Sequence, residues 1–323
     1  MNFLVVGLGS MGKRRARLLA GLGHAVAGVD SAPARMQEAA ALGIRCYDSL
    51  PAALEAQAFS AGFVCTAPLA HAPLIAALLD AGLPVFTELN LVADGYEPLM
   101  EKAQKKNLPL FLSSTMLYRG EVAHITAAVA AFQKPANYLY HIGQYLPAWH
   151  PWEAYQNFFV GQARTGGVRE ILGIELPWLV SAFGPAVPVA VEKDRLTDLE
   201  IDYPDSWFIT LRHESGAKGF LAADVVCPKA VRHLEVFGDG LQLFWEGSPD
   251  SLAAVDPATG EKTPVDTYTH YEQLPEYSDN IVENAYLDEI QNFIAVLQGR
   301  EAPRWSFEKD LDVLKLIDKI ESF

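Results

Sequence analysis

The chain has 323 residues, 50% of them hydrophobic and 20% charged, and a net charge of −15. That length exceeds one ordinary core, so two domains are expected, and the acidic balance excludes the electrostatic footprint of a nucleic-acid or anionic-membrane binder. The dispersed cysteines Cys46, Cys65 and Cys227 suggest neither a disulfide framework nor a zinc site, and no metal is expected; they fit a reducing compartment. The sequence opens directly on a core strand with no signal-peptide pattern, and no apolar run approaches the roughly 20 residues that span a bilayer. A cytoplasmic protein without membrane or nucleic-acid partners is expected.

Residues 3–6 read as a buried strand that runs into Gly7-Leu8-Gly9-Ser10-Met11-Gly12, followed by a helical pattern through Arg15, Leu18 and Leu19. A G-x-G-x-x-G between a strand and a helix points to dinucleotide binding. Gly7 permits the tight turn, Gly9 lets the backbone approach a pyrophosphate, and Gly12 lets the helix pack on the strand. The N–H groups at the helix start, around Ser10 and Met11, then face the anion at the positive end of the helix dipole. A glycine-rich turn in another α/β protein is the alternative. Residues 24–29 form a second strand ending in Asp30, 18 positions after Gly12, where a carboxylate binds ribose hydroxyls and repels a 2′-phosphate. NAD is therefore favoured; the neighbouring Ser31, Arg35, Lys13 and Arg14 keep NADP open. Asp30 could instead cap the helix that starts near Pro33.

Helix 34–42, strand 44–47, helix 50–57 and strand 62–65 follow, the last ending in Thr66-Ala67-Pro68 with His71 just inside the next helix. Strand 83–87 ends in Glu88-Leu89-Asn90, and helix 96–106 and strand 108–112 complete the alternation. Such alternation predicts an α/β fold, a doubly wound parallel Rossmann sheet that binds ligands beyond the carboxyl ends of its strands. Gly7 to Gly12, Asp30, Ser31, Thr66, Ala67, Pro68, His71, Glu88 and Asn90 should gather there around the cofactor.

From about residue 115 the pattern changes. Helix 121–132 and strand 137–144 lead into a stretch holding Tyr145, Trp149, His150, Pro151, Trp152, Glu153, Tyr155, Asn157, Phe158 and Phe159. Rings bearing polar tips can line a pocket for a hydroxylated ligand, or they can simply pack over the sheet edge. Thr165-Gly166-Gly167 opens helix 168–183, which Gly184-Pro185 stops. Strand-like runs at 187–193, 206–213, 219–226, 231–237 and 241–246, separated by signals such as Ser215-Gly216 and Gly238-Asp239-Gly240, predict a large, mostly antiparallel sheet. One face stays open unless a partner covers it, so a homo-oligomer, dimer or tetramer, is expected. Residues 248–279 read as irregular surface, and helices 283–298 and 307–320 close the chain. The expected division is a dinucleotide-binding domain, 1–117, and a C-terminal α+β domain, 118–323, whose final helices are free to pack back on the first.

The opening VVGLGSMGKRR, the segment CTAPLAHAPL, the tripeptide ELN and the run GG…LGIEL followed by FG together resemble the glucose-fructose oxidoreductase/inositol dehydrogenase (Gfo/Idh/MocA) family over nearly the whole chain. The resemblance implies NAD(P)-dependent oxidation or reduction of a sugar, sugar derivative or cyclitol, with a Lys and a His handling the hydroxyl proton. Here the family's Glu falls on Glu88, its Lys on Leu89, its Pro on Asn90, its His on Glu175 and its Asp on Ile171. Leucine carries no proton. Glu175 becomes the positional replacement, with His150 and Tyr145 as further catalytic candidates; pairing of Glu175 with Arg169 or a hydroxyl is its structural alternative. Glu170 would face another side of the helix. Tyr118, Arg119, His141, Gln144, Trp152, Glu153 and Arg169 are the expected substrate-binding groups. The leading expectation is an NAD(P)-dependent oxidoreductase for a sugar-like small molecule; an NAD-recycling epimerase or lyase, and a non-catalytic NAD sensor, are the alternatives.

Overall fold

The structure, a computed structural model, describes residues 1–149, 153–274, 278 and 280–323. The chain divides into two compact units, one of Met1–Ser114 with Tyr286–Leu311 and one of Thr115–Ala285 with Asp312–Phe323. The first boundary therefore falls a few residues before the expected 117, and a C-terminal segment returns to the first unit.

In the first unit, β1 (Asn2–Val6), α1 (Ser10–Gly21), β2 (Ala25–Val29), α2 (Pro33–Ala41), β3 (Arg45–Tyr47), α3 (Leu50–Ala56), β4 (Ala61–Val64), α4 (His71–Asp80), β5 (Val85–Thr87), α5 (Tyr96–Lys106) and β6 (Leu110–Leu112) alternate as predicted. The strands form one parallel sheet in the order β3-β2-β1-β4-β5-β6. Strands buried on both faces need continuous apolar runs, and β1 and β4 supply them, with Phe3, Leu4, Val5 and Phe63 fully enclosed. Phe63 stacks on Phe86 at 4.6 Å and Phe86 on Phe111 at 5.2 Å, while Phe293 of the returning segment meets all three edge-on. The order reverses beside β1, the place where such sheets open a crevice for ligands.

The second unit contains α6 (Gly120–Ala131), β7 (Asn137–Gly143), α7 (Gly167–Phe183), β8 (Ala186–Asp194), β9 (Ser206–His213), β10 (Lys218–Asp224), β11 (Val231–Gly238), β12 (Leu241–Trp245), β13 (Ala253–Val255) and β14 (Lys262–Pro264). Helices α8 (Glu283–Leu297) and α9 (Phe307–Glu321) each carry the chain across the division between units. The eight-stranded sheet runs β14-β13-β12-β11-β7-β10-β9-β8, antiparallel except where β7 lies parallel to β10. Alternation along β7 turns Tyr138 and Tyr140 onto α7, where they meet Phe183 at 4.5 Å and Trp178 at 5.7 Å. The opposite face leaves Leu139, Phe208 and Phe220 exposed, the last two stacked on each other. Residues 248–279, expected to be irregular, include β13 and β14. The aromatic stretch after β7 is organised by short 3-10 turns at Leu146–Ala148, Tyr155–Asn157, Phe159–Gly161 and Ala163–Thr165.

Candidate cofactor site and acid–base groups

The glycine loop has the geometry a pyrophosphate cradle requires. Gly7 adopts φ +93°, and a Cβ there would lie 2.6 Å from the Cys65 carbonyl oxygen. A Cβ on Gly12 would lie 1.8 Å from the Gly7 carbonyl oxygen, so α1 packs this closely on β1 only with glycine. At Gly9 a Cβ would meet nothing within 4 Å; that side of the loop is open. Gly9 is the N-cap of α1 and has no side chain to occupy the first-turn N–H groups, which leaves the helix end suited to an anion. Ser10 and Met11 flank it, half-buried.

Asp30 anchors this loop. Its Oδ2 accepts the Leu8 N–H at 2.7 Å and its Oδ1 accepts the Ala32 N–H at 2.8 Å. The cap position of α2 is Ala32, so the carboxylate bridges loop and helix start rather than capping the helix, and each oxygen retains a lone pair for a ribose hydroxyl. Ser31 beside it is exposed. Of the nearby cations, Lys13 pairs with Glu38 at 2.6 Å and Arg14 lies over the Tyr286 ring at 4.5 Å, while Arg35, half-exposed, stands 3.9 Å from Asp30 itself. The residues fit a dinucleotide whose ribose carries no 2′-phosphate.

The ends of β4 and β5 border the same sheet edge. Ala67 is exposed and Thr66 half-buried, while Pro68 is buried. His71 is buried and uses both ring nitrogens, Nε2 against the Thr66 carbonyl at 2.8 Å and Nδ1 against Asn90 at 2.5 Å, with the Thr87 hydroxyl at 3.3 Å. Burial lowers its pKa despite these contacts, and the ring, hydrogen-bonded at both nitrogens, braces the two loops. Glu88 accepts from Arg15 Nε at 2.6 Å, and the same guanidinium pairs with Glu289 at 2.6 Å. Burial opposes the Arg15 charge, and the two carboxylates outweigh it. Leu89, half-buried between Glu88 and Asn90, has no proton to give.

Several expectations in the second unit are corrected. Glu175 is fully buried and accepts from the Tyr140 hydroxyl at 2.8 Å, Trp178 Nε1 at 2.6 Å and the Arg232 guanidinium at 2.9 and 2.6 Å. A carboxylate enclosed and held by four donor contacts is a structural ion pair, not a group facing substrate; its cationic partner is Arg232 rather than Arg169. Arg169 is buried and holds Asp318 at 2.7 Å and Glu321 at 2.5 Å. Arg119 is buried against Glu121, donates to the Gly247 carbonyl at 2.9 Å and lies over the Trp245 ring. Tyr118 is buried beside it. Guanidinium groups out of water need carboxylates, and Arg119 and Arg169 are each paired with carboxylates of their own unit rather than offered to a substrate.

The aromatic stretch is divided between packing and exposure. Trp149 donates to the Gln144 carbonyl at 3.1 Å, the Gln144 side chain is half-buried, and its N–H donates to the Asp224 carbonyl at 3.2 Å. Tyr145 is 38% exposed and Glu153 half-buried; His150 and Trp152 lie outside the described residues. His141 pairs with Asp224 at 2.7 Å. The group that sequence reasoning passed over is Glu170. The residue is half-buried, yet its Oε2 is enclosed and has no hydrogen-bond partner among the described residues, and burial pushes its carboxyl up to about 8. The sequence signal was the helix periodicity itself: Glu170 faces away from Glu175, and that is the side left unsatisfied.

Comparison with known proteins agrees with this geometry. Residues 1–113 match the family model described as the oxidoreductase family with an NAD-binding Rossmann fold, Gfo/Idh/MocA. No curated protein matches the sequence. Among solved structures, an oxidoreductase from Agrobacterium radiobacter in complex with NAD+, L-tartaric acid and magnesium is 14% identical, with a TM-score of 0.83 over 98% of this chain and 94% of that one. The UDP-N-acetylglucosamine 3-dehydrogenase GnnA from Acidithiobacillus ferrooxidans is 17% identical, with a TM-score of 0.77 over 100% and 97%. The WlbA dehydrogenase from Bordetella pertussis, in complex with NADH and UDP-GlcNAcA, is 17% identical, with a TM-score of 0.78 over 99% and 95%. At these identities the likeness is one of fold.

Proposed function

We propose, from the match of residues 1–113 to the NAD-binding Rossmann model of the Gfo/Idh/MocA oxidoreductases, that the chain belongs to that family and transfers a hydride between NAD and a hydroxyl or carbonyl carbon of a sugar derivative. The observation that carries this reading is the open cradle at Gly9, closed on either side by Gly7 and Gly12 and tied to Asp30. Two of the structural neighbours are named for, or bound to, UDP-linked sugars, so nucleotide sugars are the first substrate class to test.

Bound NAD supplies a hydride acceptor. The chain must then take one proton, because oxidation of a carbinol releases a hydride from carbon and a proton from oxygen, leaving a carbonyl. Neither Leu89 nor Glu175 can do this. Glu170, whose Oε2 is enclosed without a partner among the described residues and whose carboxyl is pushed up to about 8 by burial, is the acid–base candidate on α7. Tyr145, 38% exposed, is suited to hold a substrate hydroxyl.

NADH formation measured against a panel of UDP-sugars, sugar acids and cyclitols tests the proposal. Glu170→Gln should lower the rate on the order of 10²-fold or more with NAD affinity retained, and the wild-type oxidation rate should rise with pH towards a plateau above about 8. A loss under a few-fold removes Glu170 from the proton path. The lack of a lysine at Leu89 favours one second reading, in which oxidation is transient and the hydride returns after epimerisation or elimination. There NADH would not accumulate, and solvent deuterium would enter the substrate beside the oxidised carbon.

A further inference from the structure

We propose that His141, Asp224 and Cys227 bind a divalent transition-metal ion, with zinc the metal that suits their donors. The site lies in the second unit, at the adjoining ends of β7 and β10. β7 and β10 are parallel neighbours with Ala222 opposite His141 and Asp224 opposite Gly143. A Cβ on residue 143 would lie 2.4 Å from Asp224 Oδ2, so the glycine is what lets this carboxylate lie across β7 towards the imidazole. The turn after β10 then folds back. The N–H groups of Val226 and Cys227 both donate to Asp224 Oδ1 at 2.9 Å, which fixes the carboxylate and brings the thiol over it. Oδ2 is left facing His141 Nε2 at 2.7 Å and Cys227 Sγ at 3.5 Å, and Sγ lies 3.7 Å from that same Nε2.

The convergence on one ring nitrogen separates this cluster from a proton relay. In a nucleophile–histidine–carboxylate relay the two partners use opposite ring nitrogens. Here carboxylate and sulfur both address Nε2, and the three ligand atoms all lie within 4.8 Å of one another. Tetrahedral zinc with ordinary bond lengths would set sulfur about 3.6 Å from each of the other donors and nitrogen about 3.3 Å from oxygen. The two sulfur separations already match, and the His141–Asp224 contact need open by only about 0.6 Å from its hydrogen-bonded 2.7 Å. Imidazole with thiolate selects zinc and its transition-metal neighbours over magnesium or calcium. Backbone donors on the distal carboxylate oxygen hold the ligand in the orientation a metal needs. The His141 side chain is 39% exposed, so the fourth position is open to water.

The full-length chain, dialysed against a chelator and titrated with Zn2+ in competition with a chromophoric chelator, should take up one equivalent. Loaded with Co2+ instead, it should show a thiolate-to-cobalt charge-transfer band and tetrahedral d–d absorption. Cys227→Ser should abolish that band and weaken zinc binding at least about 100-fold, beyond the range typical of outer ligands; Cys46→Ser should change neither. His141→Gln, at a half-exposed position tolerant of substitution, provides a second weakened variant, and NAD affinity together with the thermal midpoint verifies that each variant is folded. Absence of stoichiometric zinc in the wild type, or binding and spectrum unchanged in both Cys227→Ser and His141→Gln, would overturn the assignment.

Discussion

Gly9 and Gly12 stand three residues apart and respond to a side chain in opposite ways. At Gly12 an added carbon collides with the Gly7 carbonyl, whereas at Gly9 it projects into open space. Gly9→Val should therefore leave the thermal midpoint close to wild type while filling the space a pyrophosphate would occupy. Calorimetric titration with NAD should show an affinity loss of at least about tenfold, equivalent to about 1.4 kcal/mol. Retained affinity would remove the cradle from the cofactor site. Single residues also show how far the site was legible. The turn at Gly7, Gly9 and Gly12 was legible because its geometry is a backbone property encoded within six positions, and Asp30 was singled out by its place at the end of the second strand. Glu175 was misassigned because its position in a motif says nothing about Arg232, Tyr140 and Trp178, which decide whether its carboxylate is satisfied.

At the scale of an element, α7 carries two carboxylates with opposite physics. Glu175 is ionic, enclosed and fully partnered; Glu170 is enclosed at Oε2 and lacks a partner among the described residues. Replacing Glu175 by Gln leaves the Arg232 guanidinium, with a side chain only 16% exposed, without its counter-charge. Breaking a buried pair from one side costs about 3–5 kcal/mol, and urea unfolding of Glu175→Gln should show a loss of that order. A loss below about 1 kcal/mol would mean that the pair is not the buried anchor its geometry implies. The helix was legible as an element because Gly166-Gly167 and Gly184-Pro185 bracket an apolar run. Which of its faces is buried in charge was not, because α6, β7 and β11 are distant in sequence.

For the whole molecule, buried carboxyls set a dependence of stability on pH. Glu170 is pushed up to about 8 and Asp310 to about 6, each by burial, the latter against hydrogen bonds from Tyr96 and Trp305. An acid whose pKa is higher in the folded state binds its proton more tightly there than in the unfolded chain, so its contribution to stability falls as pH rises between the two values. Asp310 acts between about pH 4 and 6, and Glu170 between about pH 4.5 and 8. Thermal midpoints taken from pH 5 to 8 should fall less in Glu170→Gln than in wild type, since glutamine cannot ionise. Equal slopes would show that the carboxyl is not enclosed as described.

By itself the sequence determined the parallel half of the protein, its cofactor loop and the greater part of the mixed sheet. Apolar periodicity, glycine turns and strand–helix alternation are local signals, and burial of apolar runs admits few arrangements. Tertiary structure alone decided the partners of buried charge. Arg169 and Glu175 read as site residues until elements far along the chain supplied Asp318, Glu321 and Arg232, whereas Arg119 pairs with Glu121 only two positions on and reaches Gly247 across the chain. It also brought Asp224 to His141 across 83 positions, with Cys227 one turn beyond. Compensation of a charge removed from water depends on what packs against it, and three-dimensional packing is non-local in sequence.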